Sequence, residues 1–400
     1  MQRLHCHSAT TVAADSITRR NANEQVMTPT ELRETIPALE TGTYLNWGAG
    51  GPSPRRVVEA AEASLEAHEY ESPTTEGMYP AAFDVYDDAR AAVAGLLDVE
   101  STAIALTEST TDGINRVATA FDWDETDVVV RTDLEHSSGI LPWQRLEREY
   151  GVEVRLLETE AGRLDLEDVK TAMSGATLCC ISSLTWTHGT RLPIADVVDI
   201  AHDSGAHVLV DAVQAPGQVP IDVEQWGADF VVGSGHKWLV GPFGSGFLYV
   251  RPGLEDEQAL VPAAIGYRSV VDANAPTYRY ESGARRFEVG TASPVAHAGL
   301  IESIEVFEEV GLEQITSRIE LLTDQLKDGV PEGQLLSPRA YESGLVTIGV
   351  DEPETTVERL AEQNIVVRTL PGHDAVRASV HAYNTRADIE TLLEALSLPE

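Results

Sequence analysis

Lysine occurs only at positions 170, 237 and 327, in a chain that otherwise draws its positive charge from arginine. Lys237 stands apart from the other two. It follows the apolar run Phe230 to Val232 and lies within Gly233-Ser234-Gly235-His236-Lys237-Trp238. An amine can lose its proton and form a Schiff base, whereas a guanidinium stays charged and cannot. Retaining lysine where arginine is the habit therefore points to chemistry that needs an amine. Lys170 and Lys327 read as solvated lysines on polar helical faces, but the neighbours of Lys237 offer no such surface.

Other polar residues follow the remaining strand-like runs. After Ala103 to Leu106 comes Thr107-Glu108-Ser109-Thr110-Thr111-Asp112-Gly113-Ile114-Asn115, hydroxyls and a glycine opening a helix. This suits a phosphate on free backbone N–H groups, although taken alone an ordinary Ser/Thr N-cap explains it. After Val128 to Val130 comes Asp133-Leu134-Glu135-His136-Ser137-Ser138, where a lone histidine is ordinarily a hydrogen-bonded loop residue. After His207 to Val210 comes Asp211, with Gln214 three residues on. Asp211 is either a helix cap or a carboxylate held for a cationic ligand, and the residues leave both open. Ligands of open parallel sheets gather at the carboxyl ends of strands, so these residues would share one crevice. Amine, acid, histidine and hydroxyl-bearing helix starts form the set that pyridoxal phosphate needs: a lysine imine, a carboxylate on the pyridinium nitrogen and donors for the phosphate.

The elements that must position them are an alternation of strands and helices from about residue 54 to 250. Strand-like runs also appear at Leu178 to Ile181 and Phe247 to Val250. Helical periodicity marks Arg55 to Ala67, Ala81 to Leu97, Leu141 to Tyr150 and Ile194 to His202. This predicts an α/β fold with a mostly parallel central sheet covered on both faces. After about Ala298 helices at Leu300 to Val310 and Leu312 to Leu326 precede short strands near Gly344 to Val350, Ile365 to Arg368 and Ala378 to His381. A last helix follows at Arg386 to Leu396. The expected division is a disordered extension over 1–26, a segment over 27–53 joining the small domain, a large cofactor-binding domain over 54–297 and a small α+β domain over 298–400. Thr28-Pro29-Thr30-Glu31-Leu32 reads as the first helix start.

The 400 residues carry 28 Lys+Arg against 65 Asp+Glu, a formal net charge of −37. That balance argues against nucleic-acid or anionic-membrane partners, and with lysine so scarce it reads as adaptation to high salt. An apolar content of 42% supports sizeable cores. Cys6, Cys179 and Cys180 form no disulfide framework, which fits a reducing cytoplasm. No apolar stretch reaches the roughly 18 to 20 residues of a membrane span. Residues 1–26 lack the apolar segment of a secretory signal, so a cytoplasmic location is expected. His5-Cys6-His7 reads as terminal tail, and no metal site is expected.

These motifs resemble the class V aminotransferase group of fold-type I pyridoxal-phosphate enzymes, which includes the cysteine desulfurases. The similarity runs from Tyr44-Leu45-Asn46 to Tyr383-Asn384. Its most specific part is Ser234-Gly235-His236-Lys237 with the following Gly-Pro-x-Gly-x-Gly, joined by Thr110 to Asn115, Glu135-His136 and Val210 to Gln214. The resemblance implies that Lys237 forms the Schiff base, His136 stacks on the cofactor ring, Asp211 pairs with the pyridinium and Gln214 reaches the phenolic oxygen. It places Thr110, Thr111, Ser234 and His236 on the phosphate, and Arg377 and Asn46 on the substrate. A homodimer is implied too, with Tyr267, Arg268 or Ser269 reaching across.

One departure bears on the reaction. Cysteine desulfurases carry a nucleophilic cysteine on a loop shortly before that arginine, yet Val366 to Val380 is short here and has none. The pattern Arg285-Arg286-Phe287-Glu288-Val289, with Gly266-Tyr267-Arg268, Trp186 and Arg368-Thr369, looks most like cysteine/cystine C-S lyases. Isopenicillin N epimerases and hercynylcysteine sulfoxide lyases share much of it, while Thr187 stands where such lyases more often have asparagine. The expected function is β-elimination on an amino acid such as cysteine or cystine, with Lys237 removing the Cα proton and His136 protonating the leaving group or holding the ring. Transamination or epimerisation is the alternative, desulfuration ranks below it, and a non-enzymatic binding protein ranks last. Trp47-Gly48-Ala49-Gly50-Gly51-Pro52 reads either as a lid or as a plain connection.

Overall fold

The computed structural model describes residues 27–254 and 260–396. The expectations for the extension over 1–26 and for His5-Cys6-His7 lie outside the described residues. The described strands are β1 (Thr43–Tyr44), β2 (Ile104–Thr107), β3 (Val128–Thr132), β4 (Glu153–Leu157), β5 (Leu178–Ser182) and β6 (His207–Asp211). They continue with β7 (Phe230–Ser234), β8 (Gly246–Val250), β9 (Leu345–Gly349), β10 (Ile365–Val366), β11 (Arg368–Thr369) and β12 (Ala375–Ser379). The large sheet has seven strands in the order β2-β8-β7-β6-β5-β3-β4, and β8 alone runs against the rest.

Unbroken apolar runs make these strands because both faces are covered. Val128, Val130, Cys179, Ile181, Val208, Val210 and Val231 pack into one core layer. Their neighbours Val129, Leu178, Cys180, Leu209, Phe230 and Val232 pack into the layer on the opposite face. The edge strand β4 was not expected. Glu153 and Arg155 interrupt its apolar pattern, and its half-exposed position tolerates them.

The strands run a residue or two beyond their apolar runs. Thr107, Thr132, Ser182, Asp211 and Ser234 are each the last residue of a strand. The polar residues at the crevice are therefore held by the sheet ladder. The helix Pro294–Val310 packs on Arg55–Glu66 and Met78–Leu97. Beyond it, β11-β12-β9 form an antiparallel sheet. The chain start joins this region: β1 pairs with β10, and Asn46 bridges to Ser379. The expected helix start at Thr28 closes a capping box with Glu31.

Lys327 corrects the expectation of a solvated lysine. It is 2% exposed and donates to the Ala340 carbonyl at 3.1 Å. Ile319, Thr323 and Lys327 follow one another at helical spacing on the buried face of Leu312–Asp328, so the apolar stripe carries the lysine inward.

Asp229, just before β7, ties three strands together. Its carboxylate accepts from Val208 N at 2.7 Å and from Arg251 Nη2 at 2.7 Å, and His202 Nε2 lies 2.9 Å away. Burial works to raise its pKa, but the bonds from His207, His202, Arg251 and the Val208 N–H outweigh it and hold the carboxyl well below the usual range. A depressed folded pKa stabilises above the unfolded value of about 3.9 and loses that effect as pH falls through the folded value. Asp229→Asn should lower the unfolding free energy at neutral pH by about 3 kcal/mol in urea melts. The deficit should shrink below about pH 4, as the unfolded wild-type chain takes up a proton at this carboxyl that the folded chain still refuses.

Candidate active site

A cavity of about 200 Å³ opens at the carboxyl ends of β2, β3, β5, β6 and β7. Its wall brings together Thr110, Thr111, His136, Asp211, Gln214, His236 and Lys237. Three expected residues, Ser234, Arg377 and Asn46, stand outside that wall.

Burial pushes the Lys237 amine down to about 8. Asp211 opposes the shift, and the positive charges of Arg377 and Arg368 add to it. Asp211 is 4% exposed, and the one hydrogen bond to its carboxylate among the described residues comes from Val213 N at 2.9 Å. Burial raises its pKa, with Val213 N–H and Lys237 pulling the other way.

The helix Thr110–Ala118 starts at the cavity, with the Ser109 hydroxyl accepting from Asp112 N. The Thr110 hydroxyl is buried without a partner. Ser234 instead donates to the Ser245 carbonyl at 3.1 Å and holds His236 Nδ1, while the His236 ring stacks on Phe243 at 4.5 Å. Ser234 is therefore engaged with Ser245 and His236 outside the cavity wall, where the expectation put it with His236 on a phosphate. Gln214 has both polar ends occupied: Nε2 donates to Gly48 O at 2.9 Å and Oε1 accepts from Trp238 Nε1 at 2.8 Å. It joins the 47–51 loop to the lysine loop, and a bond to a ring oxygen would have to share Nε2 with Gly48.

Gly48 and Ala49 of the 47–51 segment line the cavity. Trp47 is fully buried and donates to Asn384 Oδ1 at 2.9 Å, and Gly51 N donates to His236 O at 2.8 Å. A Cβ at Gly51 would stand 2.1 Å from Lys237 O, so only glycine permits this approach.

His136 Nδ1 accepts from Ser138 N at 3.3 Å, and its ring meets Trp186 edge-on at 5.3 Å. Glu135 anchors that loop to β5, accepting from Thr132 Oγ1, Ser182 N and Ser182 Oγ. Burial pushes the Glu135 carboxyl up to about 7, against the pull of those hydrogen bonds.

Arg377 is fully buried on β12 and donates to Trp186 O at 2.8 Å, leaving Nε and Nη2 without partners. Ser379 Oγ and Asn46 Oδ1 are buried and unpartnered as well. A Cβ at Gly48 would lie 3.0 Å from Arg377 Nη2 and 3.1 Å from Ser379 Oγ, so these groups flank the cavity's edge.

Arg368 lines the cavity and was not among the expected site residues. It sits opposite Arg377 in the β11–β12 register, its guanidinium 5.4 Å from the Trp186 ring centroid. Neither arginine has a carboxylate partner among the described residues. The signal available in the sequence was the second arginine of the same hairpin. Ser109, Ser138, Ser182 and Trp186 also line the cavity. Cys179 and Cys180 lie inside β5, where burial raises both thiols, and neither lines it.

Two further expectations change. Arg268 is paired with Glu288 and lies over the Tyr86 ring at 4.0 Å, and Ser269 donates to Glu288 O at 2.6 Å. Both are engaged within this chain; of the three residues expected to reach outward only Tyr267 is exposed.

The donor set fits pyridoxal phosphate. The free N–H groups at the start of Thr110–Ala118 and the orphaned Thr110 hydroxyl suit a phosphate, and Asp211 with an amine held near neutrality suits the ring and its aldehyde. A mostly parallel sheet bearing these groups on its carboxyl ends defines an α/β pyridoxal-phosphate enzyme. The chain belongs to the aminotransferase class V family, whose family model matches residues 43–392. A probable cysteine desulfurase of Methanothermobacter thermautotrophicus is 30% identical over 92% of this chain and 96% of that protein. The apo cysteine desulfurase of Thermococcus onnurineus superposes with a TM-score of 0.84 at 29% identity, covering 92% and 97% of the two chains. The cystine C-S lyase C-DES, in complex with its reaction product cysteine persulfide, gives 0.84 at 28% identity, covering 90% and 98%.

Only the neutral amine attacks an aldehyde. The rate at which the apoprotein takes up pyridoxal phosphate should rise with pH around a midpoint of about 8. Asp211→Asn removes the charge that favours the ammonium, so its midpoint should fall. Lys237→Ala should gain no mass after borohydride treatment of the loaded protein.

Proposed function

We propose that this enzyme is a lyase that cleaves the Cβ–sulfur bond of cystine or cysteine by β-elimination, releasing pyruvate and ammonia. One observation carries the reading. Arg368 and Arg377 stand opposite each other on two paired strands, without carboxylate partners among the described residues, beside the cavity that holds Lys237. Like charges directly opposite on a sheet repel, so the pair calls for an anion. Two guanidiniums at one cavity suit a substrate with two carboxylates, as cystine has.

When bound, pyridoxal phosphate would supply an electron sink for the charge left on Cα. Lys237 would hold its aldehyde, Asp211 would keep a proton on the ring nitrogen, and Thr110 and Thr111 would hold the phosphate. Arg377, with Ser379 and Asn46 beside it, would orient the α-carboxylate, and Arg368 would hold the distal one. The Lys237 amine, placed near neutrality by its surroundings, would take the proton from Cα and return it to the departing sulfur. Loss of the sulfur group and addition of water balance the release of pyruvate and ammonia.

The C-DES similarity supports this reading, and so does the absence of either described cysteine from the cavity wall. The relatives named cysteine desulfurases keep desulfuration as a lower-ranked reading. Transamination and epimerisation share the same proton removal at Cα and remain the enzymatic alternative. We also propose a cytoplasmic homodimer that works in high salt, with 54–297 as the cofactor-binding domain and 298–400 as the smaller one, joined by 27–53. Among the described residues no helix is long and apolar enough to cross a membrane.

Pyruvate should appear from cystine in concentrated salt. Arg368→Ala should lower kcat/KM about 30-fold for cystine, the worth of one charge-assisted contact, and change that for cysteine less than threefold. Equal losses on both substrates, or transfer of the amino group to a keto acid, would overturn the assignment.

A further inference from the structure

We propose that Ser138 is a positioning residue that holds His136 as a neutral ring with its hydrogen on Nε2, so that His136 donates a hydrogen bond to the substrate and transfers no proton. The inference rests on the lyase reading for what that bond does, though not for the state of the ring. His136 opens the short helical turn Ser137–Gly139, and its Nδ1 accepts from the backbone N–H of Ser138 at 3.3 Å. A backbone N–H has no lone pair to offer in return. Nδ1 must therefore be the acceptor, and the single hydrogen of the neutral ring falls on Nε2.

The Ser138 hydroxyl reinforces this placement. Its Oγ stands 3.1 Å from Nδ1 and 2.7 Å from Thr111 Oγ1, with Ser137 Oγ at 3.5 Å from the same nitrogen. Ser138 thus fastens the ring to the start of the helix Thr110–Ala118. Trp186, edge-on to the imidazole, blocks its rotation from another side. Nε2 makes no hydrogen bond among the described residues, and the ring lines the cavity.

The surroundings oppose a second proton. Protonation would place hydrogen on Nδ1, facing the Ser138 N–H. Burial lowers the pKa first, and the charged groups acting on the ring are all cations: Lys237 from the lysine loop, Arg368 from β11 and Arg377 from β12. Among the described residues no carboxylate pairs with it. A neutral imidazole is far too weak an acid to protonate a sulfur anion, but its N–H can stabilise developing negative charge, as neutral imidazoles do in other active sites.

Nitrogen NMR of the holoenzyme labelled at histidine, with the His136 signal assigned by its loss in His136→Gln, reads the tautomer directly. We expect a neutral ring protonated on Nε2 throughout the neutral pH range. A ring protonated on Nδ1, or one that titrates near the ordinary value of about 6.5, would overturn the proposal. Ser138→Ala should keep its cofactor content and its KM within twofold, lose about tenfold in kcat, and show an acid limb of the kcat profile displaced upward, because the neutral ring has lost a donor. Ser138→Thr should restore both. An unchanged profile in Ser138→Ala, or loss of bound cofactor, would also count against it. The NMR result is independent of which amino acid is turned over, so a failure to release pyruvate would count against the lyase reading alone.

Discussion

An ammonium ion is stable in water and uncomfortable inside a protein, and the site turns on that difference. Lys237 is drawn down to about 8 chiefly by desolvation, and two arginines push the same way. Asp211 pulls back, which keeps the amine from becoming permanently neutral. The same residue that would accept an aldehyde is thereby suited to carry protons back and forth near neutral pH. Any change that admits water to the cavity would relax the first of these effects, while the charges would act less strongly through a higher dielectric.

The fold serves that balance by distance and rigidity. Asp211 ends β6, and Ser234 ends β7 just before the lysine loop, so acid and amine are placed by adjacent paired strands. The arginines come from a different sheet, which the 47–51 segment presses against the lysine loop through Gly51 N and Gln214. Many of the polar contacts at this junction are buried. Loss of one leaves a donor or acceptor without water, at a cost of about 1–3 kcal/mol.

Much of this was legible in the sequence because parallel strands buried on both faces leave continuous apolar runs. The crevice residues follow from where those runs end. Lys237 was conspicuous through composition, in a chain that uses arginine nearly everywhere else, together with its place after a buried apolar run. The failures have physical causes. Edge strand β4 carries charges that a central strand would not tolerate, so its pattern did not read as a strand. Lys327 lies on an apolar stripe, and its long stem let it reach a carbonyl from within. Arg368 entered only as part of a resemblance and not as a site residue, since its place opposite Arg377 depends on a cross-strand register that only the folded hairpin provides. Gln214 lines the cavity, but its partners are a backbone carbonyl and an indole that the sequence around it does not announce.

The bridge between Asn46 and Ser379 ties residues near the two ends of the described chain. Contacts of such long sequence separation form late, because the intervening loop must first be closed. During synthesis the segment around Gly48 has no β12 to rest on until that much later strand has left the ribosome. The large sheet can assemble earlier, with the lysine already in place, but the arginine side of the crevice arrives last. A nascent or truncated chain would thus present the reactive amine without the groups that select its substrate.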